Sequence, residues 1–312
     1  MRKFINQTHI EGYLYEHNLN LKVTGQGSKN PGTEYISGTI SIATDNAVTN
    51  IVDVHFTYVT ATTGSGKANA TFTTLKNIVD NNYKTYMEVG DQAVKLSIDS
   101  AIALNEFYSD RNGQEELVSV KRNEGGFVHK VDVLDEDETK RNSYKCDIII
   151  TGLTHKEADE ERNIPESCTV KGAIFDFRKS LLPVEFTTYN PKAIEYFESQ
   201  EPSNRNPFAT QLWGNQVSLT TTREIRTESA FGDDDVRIVK STRKDWVIKG
   251  SARVPYDWDD EASSMTVEEL NKAIKDRELY LADLKHRSDE WKASRNSATP
   301  VKIAPSNGGF NF

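Results

Sequence analysis

The segment Thr63-Gly64-Ser65-Gly66-Lys67-Ala68 carries the glycines and the lysine of a phosphate-binding loop. Such a loop needs its first glycine where Ala61 stands, and a Mg²⁺-binding hydroxyl where Ala68 stands, so the segment reads as a flexible loop. The six histidines stand singly, neither HExxH nor GxSxG occurs, and no motif places a nucleophile beside a histidine. Cys146 and Cys168 have neither CxxC nor Cys/His spacing and read as buried thiols of a reducing compartment, not as a disulfide framework or a zinc site. The carboxylates gather in linkers and on helix faces. The expectation is a protein that is not an enzyme and uses no metal or cofactor.

A different chemistry is written in the alternation of aromatic and cationic residues along strands, where successive side chains point to opposite faces. Ile10, Gly12 and Leu14 share a core face, which turns Tyr13 and Tyr15 outward. Val170, Gly172 and Ile174 share another, leaving Lys171, Phe175, Phe177 and Lys179 on the far side. Two rings flanked by two ammonium groups suit stacked bases with their phosphates held alongside. A register shifted by one residue would instead turn both phenylalanines into the core. Val52, Val54, Phe56 and Tyr58 lie on one face, and that aromatic pair is assigned to core.

Two basic turns form the second element. Lys121 and Arg122 lead through Gly125-Gly126 to a strand opened by Phe127; Lys240, Arg243 and Lys244 lead to a strand opened by Trp246. One such pair on a hairpin commonly serves solubility. Recurrence at the same place in both halves of the chain favours phosphate contact.

The elements that must position these residues follow from periodicity. Residues 4–134 are strand-like, rich in Ile, Val, Thr and Tyr and broken by Gly, Asn and Asp, with one helix over 70–81 marked by Phe72, Leu75, Ile78 and Val79. The charged run Asp135 to Asn142 reads as a solvated connector. The second half repeats the order of the first: Gly172-Ala173-Ile174 answers Gly38-Thr39-Ile40, and a short helix from Pro191 to Ser199 again follows the third strand group. Thr266 and Glu269 make a capping box that opens a helix to about Arg295. Its stripe of Val267, Leu270, Ile274, Leu281, Leu284 and Trp291 is interrupted at Arg277 and Ser288. It either lies on its own barrel or forms a seam between two chains, an oligomer contact.

Three strands, a helix and two strands is the order of a five-stranded Greek-key barrel of the OB type, whereas immunoglobulin-like sandwiches place no regular helix there. The expected fold is therefore mainly β: two tandem OB-like β-barrel modules plus a C-terminal helix and a disordered tail. The boundaries are module one at 1–134, an acidic linker at 135–143, module two at 144–255, an acidic linker and amphipathic helix at 256–295, and a disordered tail with an aromatic tip at 296–312. In 312 residues the formal charge is −9, which disfavours non-specific binding to duplex DNA but not to single strands, where stacking supplies much of the affinity. No run of apolar residues is long enough for a membrane helix and no leader opens the chain, so a cytoplasmic location is expected, in the host cell if the protein is phage-encoded.

With that repeat, barrel order and terminal Phe310-Asn311-Phe312, the chain resembles phage-encoded OB-fold single-stranded-DNA-binding proteins. The resemblance covers the module pattern over most of the chain. It implies sequence-independent binding of single-stranded DNA in replication or recombination, and a tail whose Phe310 and Phe312 recruit replication or recombination proteins. Those tails end in an acidic tip, and the tip Asn307 to Phe312 has no acid. The competing expectation is a phage structural or assembly protein that does not bind nucleic acid.

Overall fold

Ile10, Gly12 and Leu14 do face inward, on a first strand β1 (Asn6–His17) that organises everything after it. The structure is a computed structural model that describes residues 4–111, 114–159, 164–227, 231, 235–256 and 266–297. Lys240 is described only by its backbone, and Phe310 and Phe312 lie outside the described residues. After β1 come a short β2 (Asn20–Val23), then β3 (Glu34–Ala43), β4 (Ile51–Thr60), α1 (Ala70–Val79), α2 (Tyr86–Val89), β5 (Lys95–Arg111) and β6 (Gln114–Val131). β1 pairs antiparallel with β3 and β5, β3 with β4, and β5 with β6. The ring closes where β4 runs parallel to β6 at Val54 opposite Asn123. This is OB connectivity, with the helix α1 between the third and fourth barrel strands. Asn69 caps α1 by accepting from the Thr71 amide (3.1 Å), and Phe72, Leu75 and Ile78 pack into the core beside Ile40, Val54, Phe56 and Ile98.

The second half repeats the scheme. β7 (Asn142–Lys156), β8 (Ser167–Phe175), β9 (Leu181–Thr188), α3 (Pro191–Ser199), β10 (Phe208–Thr227) and β11 (Asp235–Ser251) follow in order. β7 pairs with β8 and β10, β8 with β9, and β10 with β11, all antiparallel, and β9 meets β11 in parallel at Thr187 opposite Val247. Tyr144, Ile148, Val170, Ile174, Phe186 and Leu212 fill this core. Both thiols, Cys146 and Cys168, are buried and free.

The two barrels share a ladder, because Asn6–Ile10 of β1 pairs with Asn142–Cys146 of β7. Buried amides reinforce the joint: Asn123 and Gln216 exchange two hydrogen bonds of 2.9 Å, and Asn50 donates to the Gln216 carbonyl at 3.0 Å. The acidic run is therefore not wholly a solvated connector. Arg141 and Asn142 are buried, Arg141 donating to Asn46 at 2.7 Å and Asn142 opening β7.

The basic turns are not turns. β6 and β11 are continuous strands, and Lys121, Arg122, Lys240, Arg243 and Lys244 sit in mid-ladder. Gly125 (φ +68°) and Gly126 (φ +107°) form a bulge opposite Asp99–Ala101, where a Cβ on Gly126 would lie 2.1 Å from the Asp99 carbonyl oxygen. A glycine pair in such a run reads as a turn, yet here it bends one long strand.

The last helix, α4 (Val267–Ser297), lies against its own chain on β5 and β9. Leu270 and Ala273 pack on module two. Arg277 and Ser288, the polar interruptions of the stripe, are contacts: Arg277 pairs with Glu106 (2.6 Å) and Ser288 donates to Glu115 (3.2 Å). Ile274 and Trp291, expected on the stripe, are largely exposed.

Candidate functional site

Phe175 is on the outer side of its barrel, as the register requires, since Val170 and Ile174 fill the interior. It is nevertheless 1% exposed, covered by Phe4 (ring centroids 4.8 Å apart) and packed in the same cluster as Leu270 and Ala273 of α4. The expectation of an exposed stacking ring at Phe175 is thereby overturned, because an element about 100 residues downstream roofs the face. Phe177 falls beyond the strand end, almost fully exposed, with the Arg178 guanidinium 5.1 Å from its ring. Lys171 shares the outer face and sits 3.7 Å from Glu185, while Lys179 occupies the turn after β8 in the left-handed region (φ +66°). The four residues do not form one row.

Tyr13 and Tyr15 do point outward and gather around Tyr86 of α2, with centroids 5.8 and 6.3 Å away. Lys95 lies 5.7 Å from the Tyr13 ring. Phe127 is exposed on the outer face of β6, whereas Trp246 is half-buried against Tyr144 and Phe186 at the rim of the second core.

The cations have partners. The Lys121 ammonium donates to the Glu185 carbonyl and lies 4.2 Å from the Phe186 ring and 5.0 Å from that of Trp246, so it clasps module one to module two. Burial pushes its pKa down to about 7. Arg122 pairs with Glu124 (2.7 Å), Lys244 reaches across the modules to Asp53 (2.6 Å), and Arg243 pairs with Asp245 and donates to the Tyr189 hydroxyl (2.7 Å). Burial, with the hydrogen bond to Asp245, pushes the Tyr189 phenol up to about 12. These cations are pre-positioned by carboxylates that a phosphate would have to displace.

Between β4 and β6 on one side and β10 and β11 on the other runs a cleft of about 300 Å³, whose walls include Asp53, His55, Arg122, Gln216, Lys244 and Trp246. It opens onto the outer face of β3 and β4, where Ser41 donates to Asp53 (2.7 Å) and Thr39 hydrogen-bonds His55 (2.9 Å). Burial first, and the nearby Arg122 charge second, lower the His55 pKa. The same face ends in a ring pair, Tyr35 and Tyr58, with centroids 4.7 Å apart.

Alternation alone puts Tyr58 in the core with Phe56. Instead it is 50% exposed. Ile36 pairs with Val59 but Gly38 pairs with Phe56, so Thr57 and Tyr58 together oppose Ser37, and this bulge turns Tyr58 outward. The signal that could have located it is Gly38, whose φ of +137° and close approach to the Asn18 carbonyl (2.6 Å from a Cβ) forbid any other residue. The site therefore joins an aromatic step to a cleft with guanidinium, ammonium and amide donors. Among the described residues no group of three His, Cys, Asp or Glu side chains is arranged to hold a metal.

Comparison with known proteins gives one family, YorF, whose pattern matches residues 5–287. No curated protein matches the chain. A crystal structure of a deletion mutant of the single-stranded DNA binding protein from Thermus aquaticus is similar at a TM-score of 0.44 and 9% identity, over 82% of this chain and 98% of that one.

Proposed function

The chain belongs to the YorF family, and from its outer-face chemistry we propose that it binds single-stranded DNA without sequence preference, to protect or organise it during phage or replication-type DNA metabolism. The observation that carries this reading is the Tyr35–Tyr58 ring pair, with Tyr58 half exposed, on the same face of β3 and β4 as Asp53 and His55, which line the cleft together with Arg122 and Lys244. Every base has a face to stack on a ring, so stacking supplies affinity without reading sequence. Arg122, Arg243 and Lys244 hold the backbone by exchanging their carboxylate partners for phosphates. A duplex offers no unstacked bases, and a protein of net charge −9 has little attraction for its doubled charge.

Replacing Tyr35 and Tyr58 together by alanine is expected to weaken oligo-dT binding by about 1–3 kcal/mol per stacked base. Thermal stability should change little, because half-exposed rings leave no closed cavity. Anisotropy titrations with thermal melts check both. Unchanged affinity would move the platform elsewhere.

Changing Arg243 and Lys244 to alanine acts on a different quantity. Each phosphate contact with a single strand contributes about −0.7 to the slope of log affinity against log salt, so the double change should flatten the slope by roughly one to one and a half units. The tyrosine changes should leave it nearly untouched. Titrations at several salt concentrations distinguish the two, and a wild-type slope in the Arg243/Lys244 variant would make those residues solubilising surface.

A further inference from the structure

Lys121 differs from its cationic neighbours in what surrounds the charge. Arg122, Arg243 and Lys244 each meet a carboxylate, at Glu124, Asp245 and Asp53. The Lys121 ammonium meets the Glu185 carbonyl and the rings of Phe186 and Trp246, with no carboxylate at ion-pairing distance among the described residues. Tyr144 extends this aromatic wall, its centroid 4.9 Å from that of Phe186 and 5.4 Å from that of Trp246. The Tyr144 hydroxyl is buried and has no hydrogen-bond partner among the described residues.

An amine that loses water to rings without gaining a carboxylate favours its uncharged form. Burial outweighs the more distant Glu185 and Asp245 carboxylates and the Cys146 thiol, and leaves the Lys121 pKa at about 7. About half of such an amine is free at pH 7, against roughly one in 2,500 for an ordinary lysine. A desolvated free amine on a flexible stem is a nucleophile towards carbonyl carbon. Lys121 and Trp246 both line the cleft between the modules, and Arg122 and Lys244 line it with them. One cleft thus holds a nucleophilic amine beside a guanidinium and a second ammonium, groups that bind phosphate.

We propose that Lys121 is the nucleophile of this cleft and condenses with an aldehyde that carries a phosphate, the phosphate being held by Arg122 and Lys244. The nitrogen lone pair attacks the carbonyl carbon, the carbonyl oxygen leaves as water with the two amine hydrogens, and a C=N bond remains. Two sources share this chemistry. One is a small phosphorylated aldehyde; the other is an abasic nucleotide in a single strand, whose ring-opened sugar presents an aldehyde next to backbone phosphates. The second source rests on the single-strand reading above, and the first does not.

The test incubates the full chain near neutral pH with pyridoxal phosphate and, separately, with a single-stranded oligonucleotide containing an abasic site. Cyanoborohydride then reduces the imine to a stable amine, and peptide mapping locates it. Lys121 is expected to be marked at least about tenfold faster than any other lysine, its rate reaching half of its plateau at about pH 7. Lys121→Arg keeps the charge and should lose the mark, with thermal melts checking that it folds. Lys244→Ala should slow marking by pyridoxal phosphate about tenfold and leave marking by pyridoxal, which lacks the phosphate, unchanged. Marking of Lys121 by either phosphorylated aldehyde supports the proposal, and which of them marks it identifies the source. If plain oligo-dT does not bind while pyridoxal phosphate marks Lys121, the single-strand reading alone fails. Marks scattered over other lysines with Lys121 unmarked, or a rate at Lys121 that still climbs beyond about pH 9 as for an ordinary amine, would overturn the proposal.

Discussion

Gly12→Ala is expected to destabilise the first barrel by about 3 kcal/mol, the upper part of the range for overpacking a core. A Cβ built on Gly12 lies 2.0 Å from the Ala43 carbonyl oxygen and 2.9 Å from the Ile42 side chain. The nearest obstacle is backbone, which cannot rotate away as a side chain would. β1 is the strand paired with β3, β5 and β7 alike, so a shift there propagates to both barrels. The thermal midpoint should fall by roughly 10 °C. Gly152→Ala is the control: nothing lies within 4 Å of its Cβ position, and its stability should stay within about 0.5 kcal/mol of wild type. Equal melts for the two variants would mean that β1 does not approach β3 as described.

Arg277→Ala should cost about 3–5 kcal/mol of α4 docking, because it strands a carboxylate away from water. The Glu106 side chain is 2% exposed and that of Arg277 12%, with two hydrogen bonds between them. A buried pair is expensive to break from one side yet contributes little relative to apolar replacements. Arg277→Met combined with Glu106→Leu should therefore restore most of the loss. Proteolysis provides the readout, since α4 can lift off while both barrels stay folded. The single variant should be cut rapidly between Val267 and Ser297, and the double variant slowly. Equal protection in the single variant and wild type would show that the pair does not hold the helix.

Much of the architecture was readable from residue order. The helix marked by Phe72, Leu75 and Ile78, the second helix opened by Pro191, and the capping box at Thr266 and Glu269 all form where their local signals lie. Each depends on neighbours three or four residues away. The site was less legible, because it depends on long-range events. Tyr58 turns outward through a bulge set by Gly38 and Ser37, and Phe175 is covered by α4, which no strand pattern near residue 175 can announce. Lys121 and Lys244 find their partners in the other module, at Glu185 and Asp53, so sequence separation hid their pairing. The stripe of α4 carried its own clue. Its two polar breaks, Arg277 and Ser288, are where the helix meets the acids of β5 and β6.

The most direct test of the account compares equilibrium binding of labelled oligo-dT and of a duplex of equal length to the full chain, at one salt concentration near physiological. The account predicts that the single strand binds at least about tenfold more tightly, since stacking on Tyr35 and Tyr58 requires unpaired bases and the acidic surface disfavours the stiffer polyanion. Equal affinity for the two, or binding to neither, would contradict it.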